Sequence, residues 1–172
     1  MVFSPVFLWL LLIGGCSGKT PNTFQFSVNE TKIVLSLHLI QDTVFDIQAA
    51  VCKPNGDTTL DTWRLNCPVY RFDCADITGD DIPEIAVGVI KATRYDSIVR
   101  KRLFLFKLFD TCYVRPLWLG SKVSLPLMDF RLVNGRVRTI EQKGENAFVV
   151  AEYEYKTFGL EWRGYVQTKK TL

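Results

Sequence analysis

The chain has 172 residues, 48% of them apolar and 23% charged, with 21 Lys and Arg against 18 Asp and Glu. A chain of this length buries roughly 70% of its unfolded surface; its composition excludes disorder, collagen and coiled coil, and its even charge excludes a general nucleic-acid binder. A single His removes most zinc sites and leaves any Ser-His-Asp or Cys-His chemistry dependent on His38.

The first element is an apolar run, Val6 to Ile13. Spanning a bilayer takes about 20 residues, so the run has the length of a signal-peptide core rather than of a membrane span. It leads into Ile13-Gly14-Gly15-Cys16, where small residues can enter a peptidase cleft and a thiol can accept a lipid. This ending resembles the bacterial lipobox. The resemblance implies cleavage before Cys16 and acylation of its sulfur and amino group, more than the two signals that stable anchoring requires. Residues 1–15 are then a lipoprotein signal peptide and 16–23 a lipidated tether, rich in Gly, Ser, Pro and Asn. Ser17, in place of the Asp that retains such proteins at the inner membrane, implies the outer membrane of a bacterial envelope.

From Phe24 onward the pattern is that of strands, and 24–172 is expected to form one all-β domain. Lys32 to Gln41 alternates, with Ile33, Leu35, Leu37 and Leu39 on one face and Val34, Ser36, His38 and Ile40 on the other. Similar runs follow at Val44 to Val51, Glu84 to Ile90, Val99 to Phe109, Arg136 to Gln142 and Ala147 to Tyr155. Turn residues separate them at Asn29-Glu30, Pro54-Asn55-Gly56-Asp57, Tyr95-Asp96-Ser97, Asn134-Gly135 and Lys143-Gly144-Glu145. Asn-Gly tolerates positive φ at both positions and is the strongest of these signals. His38 reads as a surface or hydrogen-bonded histidine. Asp42-Thr43-Val44, Asp57-Thr58-Thr59 and Asp96-Ser97-Ile98 resemble a bacterial O-glycosylation sequon at turns.

Four cysteines remain beside Cys16: Cys52, Cys67, Cys74 and Cys112. An even number in an oxidising compartment permits two disulfides. Cys52–Cys67 with Cys74–Cys112 is the favoured pairing, and four buried free thiols are the alternative.

One loop carries chemistry. Asp76-Ile77-Thr78-Gly79-Asp80-Asp81-Ile82-Pro83-Glu84 places oxygen side chains at positions 1, 3, 5 and 9 and a backbone carbonyl at position 7. Oxygens at alternate positions in a tight loop suit a hard cation such as Ca²⁺. An EF-hand is excluded because Val87 stands where its twelfth-position carboxylate would be. The segment resembles the FG-GAP/VCBS repeat, the calcium-loop blade of integrin α-subunits and bacterial surface proteins. That resemblance implies a loop between two strands of a propeller blade near 69–121, with Asp76, Thr78, Asp80, Ile82 and Glu84 as the ligand set for one Ca²⁺. Asp81 takes the place of the family's second Gly. The alternative is a turn in which the Asp side chains bond their own backbone amides.

A weak repeat frames this unit. Trp63, Trp118 and Trp162 recur near hairpin ends, and Phe104 and Phe148 precede two of them by fourteen residues. Units near 28–66, 69–121 and 124–168 would each supply three or four antiparallel strands. Closed propellers need about four or more blades, so three blade-like sheets in an open stack are expected, with a β-sandwich as the alternative. Arg94, Arg100, Lys101, Arg102 and Lys107 cluster along one hairpin, where charges keep an edge soluble or meet an anionic partner.

Together these features point to a membrane-anchored binding or assembly module without catalysis. Its expected partners are the lipid bilayer and a protein or cell-envelope glycan, with no nucleic acid. The alternatives are an exported carbohydrate-active hydrolase using Asp and Glu, and an inhibitor or accessory subunit of a surface complex.

Overall fold

The structure is a computed structural model of the full chain, and it describes residues 22–94, 96–120 and 123–166. The described residues form twelve strands: β1 (Thr23–Val28), β2 (Thr31–Gln41), β3 (Val44–Cys52), β4 (Thr58–Asn66), β5 (Val69–Ala75), β6 (Glu84–Thr93), β7 (Asp96–Phe109), β8 (Tyr113–Leu119), β9 (Leu127–Val133), β10 (Arg136–Gln142), β11 (Phe148–Lys156) and β12 (Gly159–Tyr165). They pair antiparallel in three sheets of four, ordered β1-β2-β3-β4, β5-β6-β7-β8 and β9-β10-β11-β12. The fold is all-β, built from three sequential blade-like sheets, none closed into a barrel.

Each sheet is a meander because tight turns let consecutive strands pair. Asn29 and Glu30 take φ of 48° and 65°, and Asn134 and Gly135 take 51° and 71°; two-residue hairpins with positive φ match the twist of the strands they join.

The sheets stack in chain order. One core lies between the first and second sheets, where Ile33, Leu35, Ile47 and Val51 meet Phe72, Ile85, Val87 and Phe106. A second core lies between the second and third, where Ala86, Leu103 and Leu105 meet Phe130, Val137, Ala151 and Tyr153. The middle sheet is therefore covered on both faces. This is why Glu84–Val89 of β6 is buried at every position while β2 alternates. Two carboxylates, Asp61 half-buried and Asp73 buried, tie the layers together. Asp61 of β4 accepts the Val114 amide of β8 at 2.8 Å, and Asp73 of β5 accepts the Leu132 amide of β9 at 2.9 Å.

The outer face of the third sheet carries cross-strand ion pairs: Arg138 sits opposite Glu152 and bonds it at 2.6 Å, and Arg163 bonds Glu154 at 2.7 Å. The outer face of the first sheet carries Asp46 opposite Arg64, bonded at 2.9 Å. Charged pairs of this kind end the stack at both sides.

The expected disulfides are not formed: Cys52, Cys67, Cys74 and Cys112 are all free thiols. Register supplies the reason. Cys52 pairs with Thr58 at one end of the β3–β4 ladder, whereas Cys67 follows Asn66, which pairs with Val44 at the other end. Eight strand residues at about 3.3 Å each put roughly 25 Å between those ends, and a disulfide needs Cα atoms within about 7 Å. Cys74 lies on β5 and Cys112 beyond the end of β7, with β6 between those strands; two strand spacings alone exceed that reach, at roughly 9–10 Å.

Candidate functional site

The Asp76–Pro83 loop joins β5 to β6 at one end of the middle sheet. Two apolar anchors hold it, since Ile77 enters the core shared with the third sheet and Ile82 packs against the core shared with the first. Between them the chain turns through Gly79 at φ 82° and Asp81 at φ 65°. Asp81 does occupy the left-handed conformation that its position demands, which Asp tolerates better than most residues.

The loop carboxylates close the loop on itself. Asp76 accepts amide protons from Thr78 (3.1 Å), Gly79 (2.6 Å) and Asp81 (2.9 Å). Asp80 accepts the Ile82 amide at 2.9 Å. Glu84, 2% exposed, accepts the amides of Ile77 (2.8 Å) and Thr78 (3.2 Å) and the hydroxyl of Thr78 (3.0 Å). Burial pushes the Glu84 carboxyl above its ordinary value, against those bonds, with the Asp80 charge adding to the rise. Among the described residues no group of three or more His, Cys, Asp or Glu side chains could hold a metal. Asp76, Thr78, Asp80, Ile82 and Glu84 share one loop, and its carboxylates bond the loop's own amides.

Three concavities adjoin Trp118 of β8. One of about 130 Å³ is lined by Arg100, Lys101, Arg102 and the Val123–Leu127 segment. A second, of about 440 Å³, is lined by residues 156–161. A third, of about 460 Å³, is lined by residues 91–94 with Phe104 and Leu119. Trp118 borders all three. Its indole is held in a slot made by glycines. A Cβ at Gly159 would stand 2.7 Å from the indole Nε1, and one at Gly120 would overlap the ring.

The basic cluster seen in the sequence divides by role. Arg102, with its side chain 1% exposed, is internal: it bonds Asp96 at 3.0 Å and donates to the carbonyls of Ile98 (2.9 Å) and Lys91 (3.3 Å). Lys101 donates to the Met128 carbonyl at 2.8 Å and stands 4.8 Å from the centre of the Tyr70 ring. Lys91 and Arg94 are exposed. Sequence reasoning found the arginines through their density, but missed Lys91, Lys156 and the two glycines, which only tertiary packing brings to Trp118.

His38 lies on the outer face of the first sheet, its Nε2 2.8 Å from Ser36 Oγ. Opposite it, Asp46 is bonded through both oxygens to Arg64, and that guanidinium holds the carboxyl below its usual range. Cys16 and the apolar run before it lie outside the described residues.

Protein-family models give no match to the chain, and a search of curated proteins gives none either. Among solved structures the chain is similar to one titled "Structure of a Xanthomonas Type IV Secretion System related protein". The identity is 11%, the match covers 81% of this chain and 78% of that one, and the TM-score is 0.42. A likeness at that level carries no argument about activity.

Proposed function

We propose that this chain is an exported lipoprotein of the bacterial envelope, anchored through acyl chains on Cys16 and acting as a non-catalytic binding or assembly module. The observation that carries the reading is the apolar run Val6 to Ile13 ending at Gly14-Gly15-Cys16, ahead of a body whose first strand begins at Thr23. A short tether of that length holds a rigid β body close to the bilayer that anchors it. The body offers broad sheet sides and edges suited to a protein or glycan partner, and the carboxylates of its one chemistry-bearing loop are engaged in closing that loop. An inhibitor or accessory subunit is the form of this reading in which the partner is a protein. A carbohydrate-active hydrolase requires two carboxylates facing each other across a pocket, whereas the lining of the three concavities at Trp118 includes one, Glu161.

Metabolic labelling of cells with a fatty acid tests the anchor. The wild-type protein is expected to carry the label and fractionate with membranes, and Cys16→Ala to lose both. An unlabelled wild type defeats the reading.

A further inference from the structure

We propose that one end of the stack, formed by the β2–β3 turn and the β6–β7 hairpin, is a membrane-contact surface that sets Leu39, Ile40, Ile98 and Val99 into the lipid interface. The inference rests on the anchor reading and deepens it by giving the anchored body an orientation.

Register brings the two segments to one end. Gln41 of β2 pairs with Val44 of β3, and Val44 with Asn66 of β4. Just beyond Asn66, the Pro68 carbonyl accepts the Ile90 amide of β6 at 2.9 Å, and Ile90 pairs with Lys101 of β7. The two facing sheets share this direction. Trp63 lies 5.9 Å from Phe106, while Asp61 bonds Val114, the partner of Leu108. Passing along β4 from Asp61 to Asn66 therefore follows β7 from Leu108 toward Asp96.

The tether joins the body at the same end. The Asn22 carbonyl accepts the Leu37 amide at 2.8 Å, and β1 then runs from Thr23, opposite Ser36, to Val28, opposite Thr31. The chain thus enters β1 from the side of Leu39 and Gln41. Six residues separate Cys16 from Asn22 and reach at most about 22 Å when fully extended. Acyl chains on Cys16 hold this end nearest the bilayer.

Exposure is the independent observation. Leu39 and Ile40 are 61% and 50% exposed, and Ile98 and Val99 are 60% and 66% exposed. Neighbouring strand residues point to opposite faces, and a strand with one face on a core alternates apolar with polar. Both pairs break that rule. The hairpin also projects past its neighbours: pairing with β5 ends at Val69 and Val89, and pairing with β8 ends at Phe104 and Leu119. From Val89, β6 runs on to Thr93, roughly 13 Å at strand spacing. The buried Arg102 guanidinium braces this tip from within, bonding Asp96 at 3.0 Å and the Ile98 carbonyl at 2.9 Å. A rigid support of this kind lowers the ordering cost of contact.

Polar neighbours set the depth. Gln41, Asp42 and Thr43 in the turn and Lys91 and Ser97 on the hairpin are exposed. The end therefore suits the boundary of headgroups and acyl chains, about 5–10 Å deep, where Lys91 can extend its apolar stem and keep its ammonium among lipid phosphates.

The test replaces Val99, Ile40 or Leu60, one at a time, with a fluorescent amino acid in the full lipidated chain. The host is vesicles of phosphatidylethanolamine and phosphatidylglycerol carrying a nitroxide quencher on their acyl chains. Leu60, 77% exposed, is the control, because it lies toward the other end of β4, opposite Ala50. Quenching at Val99 and at Ile40 is expected to exceed that at Leu60 at least threefold. With the fluorophore in place of Ile40, Ile98→Asp combined with Val99→Asp should at least halve the quenching, while thermal melting shows the variant folded. Three results overturn the inference: quenching at Val99 no greater than at Leu60, quenching at Ile40 unchanged in the double variant, or a fluorophore at Val99 shielded from aqueous iodide yet not quenched by lipid, which assigns this end to a second copy of the chain. Fatty-acid labelling separates the failures. An unlabelled wild type ends the anchor reading and this orientation together, whereas a labelled protein unquenched at Val99 ends the orientation alone.

Discussion

Glu84 is a carboxyl enclosed by its own loop, and its titration should be visible in the stability of the whole protein. Burial raises its pKa above the ordinary 4.5, more than the Ile77 amide and the Thr78 hydroxyl and amide lower it. The folded chain then holds a proton that the unfolded chain has released, so this residue's contribution falls as pH rises from about 4.5 through the raised value. Glu84→Gln keeps an acceptor for the amides and removes the titration. Urea melts between pH 4.5 and 7 should show a flatter stability profile for the variant; identical slopes would contradict this account. Asp46, Glu152 and Glu154 act in the opposite sense. Bonds from Arg64, Arg138 and Lys156 respectively hold them below their usual values, so their contribution is present above those values and lost as acid protonates them. Asp76 makes a second test. It accepts three amide protons, and Asp76→Ala should cost about 1–2 kcal/mol in calcium-free buffer. The wild-type melting temperature should be the same in a chelator and in millimolar Ca²⁺. A cation bound at ~100 times its dissociation constant would add about 2.7 kcal/mol, and a gain of that size would contradict the self-bonded turn.

At the scale of elements, the central strand β6 depends on a close approach. Gly88 faces the Tyr70 ring of β5, and an added Cβ would come within 2.6 Å of it. That ring is itself fixed, edge-on to Phe130 at 6.4 Å and beneath the Lys101 ammonium at 4.8 Å. Gly88→Ala should therefore destabilise by about 1–3 kcal/mol through overpacking, read as a lower urea midpoint; an unchanged midpoint would show that the ring moves freely. Much of this level was legible in the sequence. Alternation located β2 and β10; the same alternation was expected of Glu84 to Ile90, whereas β6 is buried at every position from Glu84 to Val89. Trp63, Trp118 and Trp162 do fall in the fourth strand of each sheet, opposite Ile47, Leu105 and Tyr153 of the third. The turn at Asp110-Thr111 was missed, because it lacks Gly and yet adopts φ of 48° and 62°. Disulfide pairing was misread for a different reason: which cysteines approach depends on ladder register and strand order, and residue spacing along the chain encodes neither. The concavities beside Trp118 were invisible because their walls come from the β6–β7 hairpin, the segment before β9 and the β11–β12 hairpin.

At the scale of the molecule, three sheets stacked in chain order give a rigid body whose middle layer is buried on both faces and whose two outer faces are closed by ion pairs. Nothing in that stack requires a lipid. The proposed anchor is a separate device carried by the residues ahead of β1, and the proposed role joins the two: a β body held at a membrane. The most direct measurement is mass spectrometry of the amino-terminal peptide of protein made in its native host. The account predicts a peptide beginning at Cys16 and heavier by a diacylglycerol and an amide-linked acyl chain. A peptide that carries Cys16 with a bare sulfur would contradict it.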